Sequence, residues 1–226
     1  MNDIRLRALT ACLAAILAVA CGALPRHASP KAGYRYQDLL LDEHFESGKA
    51  WRSYDGGADL WLGVAEGVYR IDLLGKRYVW AQHDQLTSDV VIEAESRQLS
   101  AYDNNAYGLA CRLDPANSGR GYFLLISADG YASIRWSDGR SLQAIVPAFP
   151  SQHIHQGAAR NRIRAICIGD YLALWVNDEF VAEARDRRTS AGHIGLAGVM
   201  NSAGQRLSVE FDDLRVWSAV MDDRGS

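Results

Sequence analysis

The sequence GYFLLISADGYASIRWSDG, which spans Gly121–Gly139, decides the fold class. Two apolar runs, Tyr122–Ser127 and Ala132–Ser137, flank the pair Asp129-Gly130, and a second Asp-Gly pair ends the stretch. Asp-Gly pairs readily take the positive φ angles that tight hairpin turns require. The stretch therefore predicts two antiparallel strands joined by a short turn, with another turn directly after them.

Runs of the same kind recur on both sides of this hairpin, separated by Gly, Asn, Asp and Ser. They are Leu39–Phe45, Leu60–Val64, Val68–Leu73, Tyr78–His83, Asp89–Leu99, Asn105–Leu113, Leu142–Val146, Arg162–Ile168, Tyr171–Val176, Phe180–Ala184, His193–Val199 and Leu207–Trp217. Asn177-Asp178 predicts a further tight turn. Many short strands without a sustained helical period indicate an all-β sandwich or barrel.

Alternation within these runs assigns side chains to opposite faces of a strand. Tyr107, Leu109, Cys111 and Leu113 are expected on one face, and Arg112 on the other, wet face. One buried face and one wet face are typical of a two-sheet antiparallel sandwich. The sequence predicts such a domain over residues 38–218, followed by a polar tail at 219–226.

Composition excludes several classes of protein. Hydrophobic residues make up 48% of the 226 residues, which is enough for a packed core and too many for a disordered chain. The 24 Lys and Arg against 27 Asp and Glu give a net charge of −3, which argues against a nucleic-acid partner held through its phosphates. With 5 prolines, the chain is not a Pro-rich stalk.

The beginning of the chain has the organisation of an export signal. Basic residues in Met1–Arg7 precede an uncharged apolar stretch, Ala8–Ala20, which is too short to span a bilayer well. Cys21 follows Ala-Val-Ala and precedes Gly, which resembles the lipobox of bacterial lipoproteins. The resemblance implies a signal peptide at residues 1–20 and acyl chains on Cys21; plain cleavage after Ala20 is the alternative.

Several acyl chains hold a protein at a membrane where a single chain would not. The resemblance therefore implies an exported, membrane-anchored lipoprotein. The outer membrane is favoured, if the organism has one, because Gly rather than Asp follows Cys21. Residues 21–37, with Pro25 and Pro30, are expected to form a flexible tether between anchor and domain.

Two of the 4 cysteines, Cys111 and Cys167, lie within the predicted domain. An exported domain meets an oxidising compartment, where a pair of cysteines can form a disulfide. Both cysteines also alternate with apolar neighbours, so two buried thiols acting as small hydrophobic side chains are the alternative.

Particular segments of the domain resemble a known superfamily. They are Leu41–Phe45, Asp103–Leu109 with Arg112, Gly121–Ser127, Asp129-Gly130, Asn161–Arg164, Gly169–Asn177, Gly192–Leu196 and Phe211–Val216. Their order is similar to that of the concanavalin A-like lectin/glucanase jelly rolls, and within these to the laminin-G-like modules and the DUF1080 (3-keto-disaccharide hydrolase) modules. The resemblance implies a jelly-roll sandwich, and it leaves activity open because the fold hosts lectins, glucanases and adhesive modules.

Glu93 and Glu95 are the candidate catalytic residues for a glycoside-processing enzyme. They share one face of a predicted strand, and retaining glycosidases need two carboxylates. The superfamily's glucanases carry Glu-x-Asp-x-(x)-Glu on a strand, and this chain lacks the central Asp and the last Glu. A solvated strand face is the favoured interpretation.

A polar loop flanked by aromatic residues is the candidate ligand-binding site. The loop and its flanking aromatic residues are Tyr102, Asp103, Asn104, Asn105 and Tyr107. Arg112 is added because its side chain could reach the same wet surface. Amide and carboxylate groups suit sugar hydroxyls, and aromatic rings suit the apolar face of a sugar, although Asn and Asp also favour turns for backbone reasons. Trp80 and Trp136 are each either a platform or core, and core is favoured.

No metal or cofactor is predicted. His153 and His155 could ligate zinc, but no third ligand is identifiable. Asp212-Asp213 is weak support for calcium. The sequence thus favours a non-catalytic module that binds a glycan or an envelope protein, with a keto-disaccharide hydrolase or glucanase as the alternative.

Overall fold

The computed structural model describes residues 29–222 as a β protein with fifteen strands and one 3-10 turn. The strands are β1 (Tyr34–Glu43), β2 (Tyr54–Asp55), β3 (Leu60–Ala65), β4 (Val68–Leu74), β5 (Arg77–Thr87), β6 (Val90–Gln98), β7 (Asn105–Leu113), β8 (Arg120–Ile126), β9 (Tyr131–Asp138), β10 (Leu142–Pro150), β11 (Arg160–Ile168), β12 (Tyr171–Val176), β13 (Glu179–Arg185), β14 (Gly192–Met200) and β15 (Arg206–Met221). Within this range no helix is long and apolar enough to cross a membrane.

The strands form two antiparallel sheets. The nine-stranded sheet has the order β13-β12-β11-β6-β15-β4-β3-β2, with β1 paired to β15. The six-stranded sheet has the order β10-β9-β8-β7-β14-β5. The predicted two-sheet antiparallel sandwich is therefore confirmed.

The main hydrophobic core lies between the two sheets, because each strand turns alternate side chains inward. Leu109 of β7, Leu124 of β8 and Leu196 of β14 contribute from the six-stranded sheet, while Ile71 of β4 and Phe211 of β15 contribute from the other. All five are fully buried.

The turns follow their sequence signals. Gly130 has a φ of 89° between β8 and β9. Asn177 and Asp178 both have positive φ, 53° and 65°, in the two-residue turn from β12 to β13. These are the left-handed conformations that Gly and Asn accept most readily, so the turn predictions are correct.

Both ends of the domain extend beyond the predicted boundaries. β1 begins at Tyr34, inside the predicted tether, and β15 continues to Met221, inside the predicted tail. The reason is mutual pairing, since Tyr34 lies opposite Met221 and Tyr36 opposite Ala219. The signal peptide, Cys21 and residues 22–28 of the tether lie outside the described residues.

The predicted face of Arg112 is wrong. Arg112 has a φ of 54°, which interrupts the alternation of β7. Leu113 consequently packs in an apolar cluster on the outer face of the six-stranded sheet, not in the main core. The Arg112 side chain is 0% exposed, so it is not on a wet surface.

Arg112 instead ties three connecting segments together. Its guanidinium donates to the carbonyl oxygens of Ser88 (3.3 Å), Gly169 (2.7 Å) and Thr189 (3.1 Å), and to Asp89 Oδ1 (3.2 Å). Burial lowers the pKa of Arg112, and the neighbouring Asp89 opposes that shift. A buried charge is tolerated only with such complete pairing.

Cys111, the neighbour of Arg112, forms a disulfide with Cys167. The bond connects β7 in one sheet to β11 in the other, with a Cα–Cα distance of 6.8 Å. Of the two alternatives that the sequence left open, the structure therefore contains the cross-link between the sheets.

Replacing Arg112 with Met should destabilise the domain. The substitution removes the guanidinium donor of three carbonyl groups and the ionic partner of Asp89, which keeps only the Gly169 amide, so we expect the free energy of unfolding to fall by about 2–4 kcal/mol. Arg215→Met is the control, because the Arg215–Asp42 pair is about half exposed and should contribute less than about 1 kcal/mol. Urea titration followed by tryptophan fluorescence measures both. Equal losses for the two variants would contradict the stabilising role of Arg112.

Candidate functional site

The outer face of the six-stranded sheet is apolar, although it does not face the other sheet. Ala110, Leu113, Phe123, Leu125, Ala197 and Val199 form a buried cluster there, with Tyr78, Trp80, Ala106 and Leu142 packed against it. A sandwich normally leaves such a face polar and wet. An apolar outer face therefore marks a candidate binding surface.

The sizes of the side chains shape this face into a cleft. The central strands carry small residues, such as Ala106 and Ala110 in β7 and Ala197 in β14. Larger side chains rise on either side, including Trp80 from β5 and Arg135 from β9. We call the outer face of this sheet, with the three cavities described next, the cleft.

Three cavities lie along the cleft, and each is named after a lining residue. The asparagine cavity, about 340 Å³, is lined by Asn104 and Asn105. The arginine cavity, about 320 Å³, shares Arg135 and Asn201 with it. The tryptophan cavity, about 530 Å³, contains Trp80 and shares Tyr78 with the arginine cavity. It lies at the β5 edge of the cleft, where Tyr54 of β2 and Leu60 of β3 in the nine-stranded sheet complete its lining.

Tyr78 separates the tryptophan cavity from the arginine cavity. Its hydroxyl lies 3.2 Å from Ser137 Oγ of β9, although Tyr78 itself belongs to β5 at the opposite edge of the sheet. Its ring makes an edge contact with Phe123, with 6.2 Å between centroids. The sheet is therefore curved enough for one tyrosine to span the cleft.

The tryptophan cavity has aromatic walls. Trp80 is half-buried, its centroid lies 5.7 Å from that of Tyr78, and its Nε1 donates to Asn117 Oδ1 at 2.8 Å. A Cβ on Gly119 would meet the Trp80 ring at 2.5 Å, so the backbone there packs directly on the indole. Tyr54, 54% exposed, lines the same cavity.

The arginine cavity is cationic. Arg135 is half-buried, and its Nε donates to Ser133 Oγ at 3.2 Å. Burial lowers the pKa of Arg135. Lys76 and Arg77, both exposed, line the same cavity. Among the residues lining this cavity, all within 29–222, there is no carboxylate.

The asparagine cavity is polar. Asp129 and Asn201 line it together with the two asparagines and Tyr131, which is 43% exposed. Ser127 Oγ donates to Asp129 Oδ1. This end of the cleft therefore offers carboxylate, amide and hydroxyl groups within one cavity.

The predicted ligand-binding loop is only partly at this site. Asn104 and Asn105 line the asparagine cavity. Asn105 is 4% exposed, and its Nδ2 donates to the carbonyl oxygen of Tyr102 at 2.6 Å. The Tyr102 hydroxyl lies 2.7 Å from Ser202 Oγ. The Asp103 carbonyl accepts the Asn105 amide at 2.9 Å, so part of this loop serves the turn.

Tyr107 and Arg112 are not at the cleft, which corrects their assignment as ligand-binding residues. Tyr107 is 0% exposed and packs in the main core, where burial raises the pKa of its phenol. Arg112 is saturated by its loop contacts, as described above. Alternation placed Tyr107 on the face of Leu109 and Cys111, and that face points inward.

Glu93 and Glu95 lie on the outer face of the nine-stranded sheet, away from the cleft. Glu93 Oε1 accepts from Arg164 Nε at 2.6 Å and from the Tyr36 hydroxyl at 2.9 Å. Glu95 Oε1 accepts from Arg162 Nε at 2.9 Å. Both carboxylates are thus occupied in cross-strand ion pairs, and the structure does not support them as the catalytic pair.

The candidate metal ligands do not form a cluster. In the part of the chain that the structure describes, no group of three or more His, Cys, Asp or Glu could hold a metal ion. His155 Nδ1 lies 3.2 Å from the Arg160 carbonyl oxygen. Asp213 Oδ1 lies 2.9 Å from His44 Nδ1.

Sequence reasoning missed several cleft residues. Trp80 was interpreted as core, yet it lies on the outer face, whereas Trp136 does belong to the main core. Tyr78 and Arg135 were not singled out. Alternation distinguishes two faces of a strand, but on β5 and β9 both faces pack, so the pattern alone does not identify the cleft.

Solved structures share this fold at low sequence identity. Carbohydrate-binding module CBM66 from Bacillus subtilis matches with a TM-score of 0.59 at 18% identity, over 76% of this chain and 96% of the module. A prokaryotic beta-1,3-1,4-glucanase (lichenase) derived from a mouse hindgut metagenome matches at 0.59 and 10%, over 82% and 99%. Bacillus licheniformis beta-glucanase matches at 0.58 and 9%, over 84% and 99%.

No family model matches the sequence, and no curated protein does. The structural likeness shows the fold, a two-sheet jelly-roll sandwich, which is the fold that the resemblance found in the sequence implies.

Replacing Glu93 with Gln should affect stability rather than the cleft. Both partners of the Glu93–Arg164 pair are less than one-fifth exposed, so we expect a loss of about 1–2 kcal/mol in the free energy of unfolding. Glu95→Gln is the matched control, because its partner Arg162 is 50% exposed and the loss should stay under about 1 kcal/mol. Thermal unfolding measures the difference. A larger loss for Glu95→Gln would show that this reasoning is wrong.

Proposed function

We propose that this chain is a non-catalytic glycan-binding module and that the cleft over the six-stranded sheet is its binding site. The observation that carries the proposal is the composition of the cleft. Aromatic rings line one end at Trp80 and Tyr54, and amide and carboxylate groups line the other end at Asn104 and Asp129.

This combination suits a carbohydrate for physical reasons. A sugar ring presents an apolar C–H face, which an aromatic ring can cover, and a rim of hydroxyls that need hydrogen-bond partners. Binding sites generally join an apolar lining to a few placed polar groups. The asparagine cavity supplies amide, carboxylate and hydroxyl groups for this purpose.

The comparisons support the same reading. A carbohydrate-binding module and several glucanases share the fold over most of this chain. Because fold alone does not determine activity, the proposal depends on the cleft residues. A protein partner in the envelope is the other partner that the sequence allowed, and an apolar face of this kind could also bind a protein.

The lining of the cleft favours binding over hydrolysis. Retaining glycosidases hold two carboxyl groups about 5–5.5 Å apart, and inverting enzymes also need two. Among the described residues that line the three cavities, Asp129 is the one carboxylate. A hydrolase of the 3-keto-disaccharide type, the alternative that the resemblance implies, would therefore lack a second acidic group among these described lining residues.

We further propose that the module is exported and attached to a membrane through acyl chains on Cys21. The support is the sequence around Cys21 and the position of the domain, whose first described strand begins at Tyr34. A short segment rich in Pro and Gly then separates the anchor from the sandwich.

Trp80→Ala tests the binding site. We expect the variant to bind soluble mixed-linkage β-glucan or laminarin at least about tenfold more weakly than the wild type, because a large aromatic contact is removed. Affinity gel electrophoresis measures the change. Trp175→Ala is the control, since Trp175 is also half-buried but lies on the outer face of the nine-stranded sheet.

Two results would contradict the proposal. One is binding by Trp80→Ala that equals binding by the wild type. The other is equal loss in Trp80→Ala and Trp175→Ala, which would indicate a general effect on folding. Circular dichroism of both variants checks that the sandwich is intact.

Cys21→Ser tests the anchor. The substitution keeps nearly the same volume and removes the thiol that would be acylated, so the variant should move from the detergent phase to the aqueous phase. Detergent-phase partitioning of cell fractions measures this. Wild-type protein found wholly in the aqueous phase would refute the lipid anchor. A Ser variant that stays with detergent would indicate an uncleaved signal helix.

A further inference from the structure

We infer that the glycan bound in the cleft is acidic, bearing carboxylate or sulfate groups, and that the Arg135 guanidinium binds one of these groups. The inference rests on the proposed glycan-binding function. Lys76, Arg77 and Arg135 all line the arginine cavity, and none of its lining residues, each a described one, is acidic. A cavity lined by one sign of charge favours a ligand of the opposite sign.

Arg135 is the central element of this cavity. It pairs in register with Phe123 of β8 and Ala144 of β10, within the sheet rather than at a mobile tip. Its Nε donates to Ser133 Oγ, and its two Nη groups have no acceptor among residues 29–222. The Arg135 guanidinium is therefore held in position by Ser133, and its two Nη groups can still donate hydrogen bonds to a ligand.

The local energetics favour an incoming anion. Arg135 is half-buried, so its guanidinium has lost part of its hydration, and no ion pair within residues 29–222 includes it. A buried charge without a partner is unfavourable. A carboxylate or sulfate can accept two parallel hydrogen bonds from a guanidinium, which is the strongest pairing available to arginine.

Among the described arginines that are not exposed, Arg70, Arg112 and Arg164 each pair with a carboxylate, and Arg135 does not. On the outer face of the nine-stranded sheet, arginines have carboxylate partners at short distance: Arg164–Glu93 at 2.6 Å and Arg162–Glu95 at 2.9 Å. The more exposed Arg215 also has a partner, Asp42, at 3.0 Å. Arg135 is less solvated than Arg215 and has none, so we assign its partner to the ligand.

The neighbouring cavity limits where the acidic group can lie. Asp129, which lines the asparagine cavity and accepts from Ser127, would repel an anion at that end. Hydroxyl-bearing parts of the glycan therefore fit the asparagine cavity, and the acidic group fits beside Arg135. Lys76 and Arg77, being exposed, add a longer-range attraction that salt weakens.

The test compares charged and neutral forms of the same polymers by affinity electrophoresis. Polygalacturonate is paired with its carboxyl-reduced form, and dextran sulfate is paired with dextran. We expect the charged member of at least one pair to bind at least about tenfold more tightly, and added NaCl to reduce the difference. A preference in the first pair assigns a carboxylate, and one in the second assigns a sulfate. Equal binding within both pairs would overturn the inference.

Variants at position 135 assign the effect to Arg135. Arg135→Met keeps an aliphatic stem and removes the charge, so binding to the preferred charged polymer should fall at least about tenfold. Arg135→Lys keeps the charge, loses the fork and should show a smaller loss. Arg160→Met, an exposed cation in β11 of the other sheet, is the control and should bind as the wild type does.

If circular dichroism shows that Arg135→Met does not fold, the binding of Arg135→Lys becomes the test. Wild-type affinity of Arg135→Lys for the preferred charged polymer would then overturn the inference. Trp80-dependent binding of neutral β-glucans with no preference for charged polymers would overturn it and leave the proposed function intact. Binding to none of these polysaccharides would overturn both.

Discussion

Two adjacent residues of β7 join the two sheets, and the rest of the structure depends on this junction. Cys111 points inward and is bonded to Cys167 of the opposite sheet. Arg112 then takes a left-handed conformation and directs its buried guanidinium to three connecting segments. The first contact cross-links the sheets, and the second closes the end of the sandwich. Together they hold the six-stranded sheet to its partner at this end of the sandwich.

The outer face of the six-stranded sheet is both apolar and concave. Small side chains in β7 and β14 leave space above the sheet centre, while β5 and β9 carry long side chains toward each other. Tyr78 meets Ser137 across this space. A flat sheet would hold these residues several strands apart, at about 4.8 Å per strand. The cleft is thus a consequence of residue size along neighbouring strands.

The sequence predicts local features better than the site. Hairpin turns at Gly130 and Asn177 and most strands follow from short-range chemistry, because the signal lies within a few residues. β1 was predicted too short because it is stabilised by pairing with β15, at the other end of the chain. Arg112 was assigned to a wet face because alternation assumes regular backbone, and its positive φ breaks that regularity. Trp80, Arg135 and Asn105 line the same cleft because the strand order brings β5, β9 and β7 into one sheet. No local sequence pattern predicts that strand order.

The same alternation bears on whether the cleft binds or hydrolyses its ligand. A catalytic pair on one strand would occupy positions i and i+2 on the outer face of the six-stranded sheet. Those positions hold Tyr78, Trp80 and Gln82 in β5; Ala106, Gly108 and Ala110 in β7; Phe123 and Leu125 in β8; Ser133, Arg135 and Ser137 in β9; and Gly195, Ala197 and Val199 in β14. None of these residues is acidic, and Asp84, the next alternate residue of β5, has Gln82 and Leu86 rather than a second carboxylate two positions away. The two glutamates with the required spacing, Glu93 and Glu95, lie on the opposite sheet and neutralise arginines there. Our proposal that the cleft binds its ligand rather than hydrolysing it rests on this distribution of charge between the two sheets.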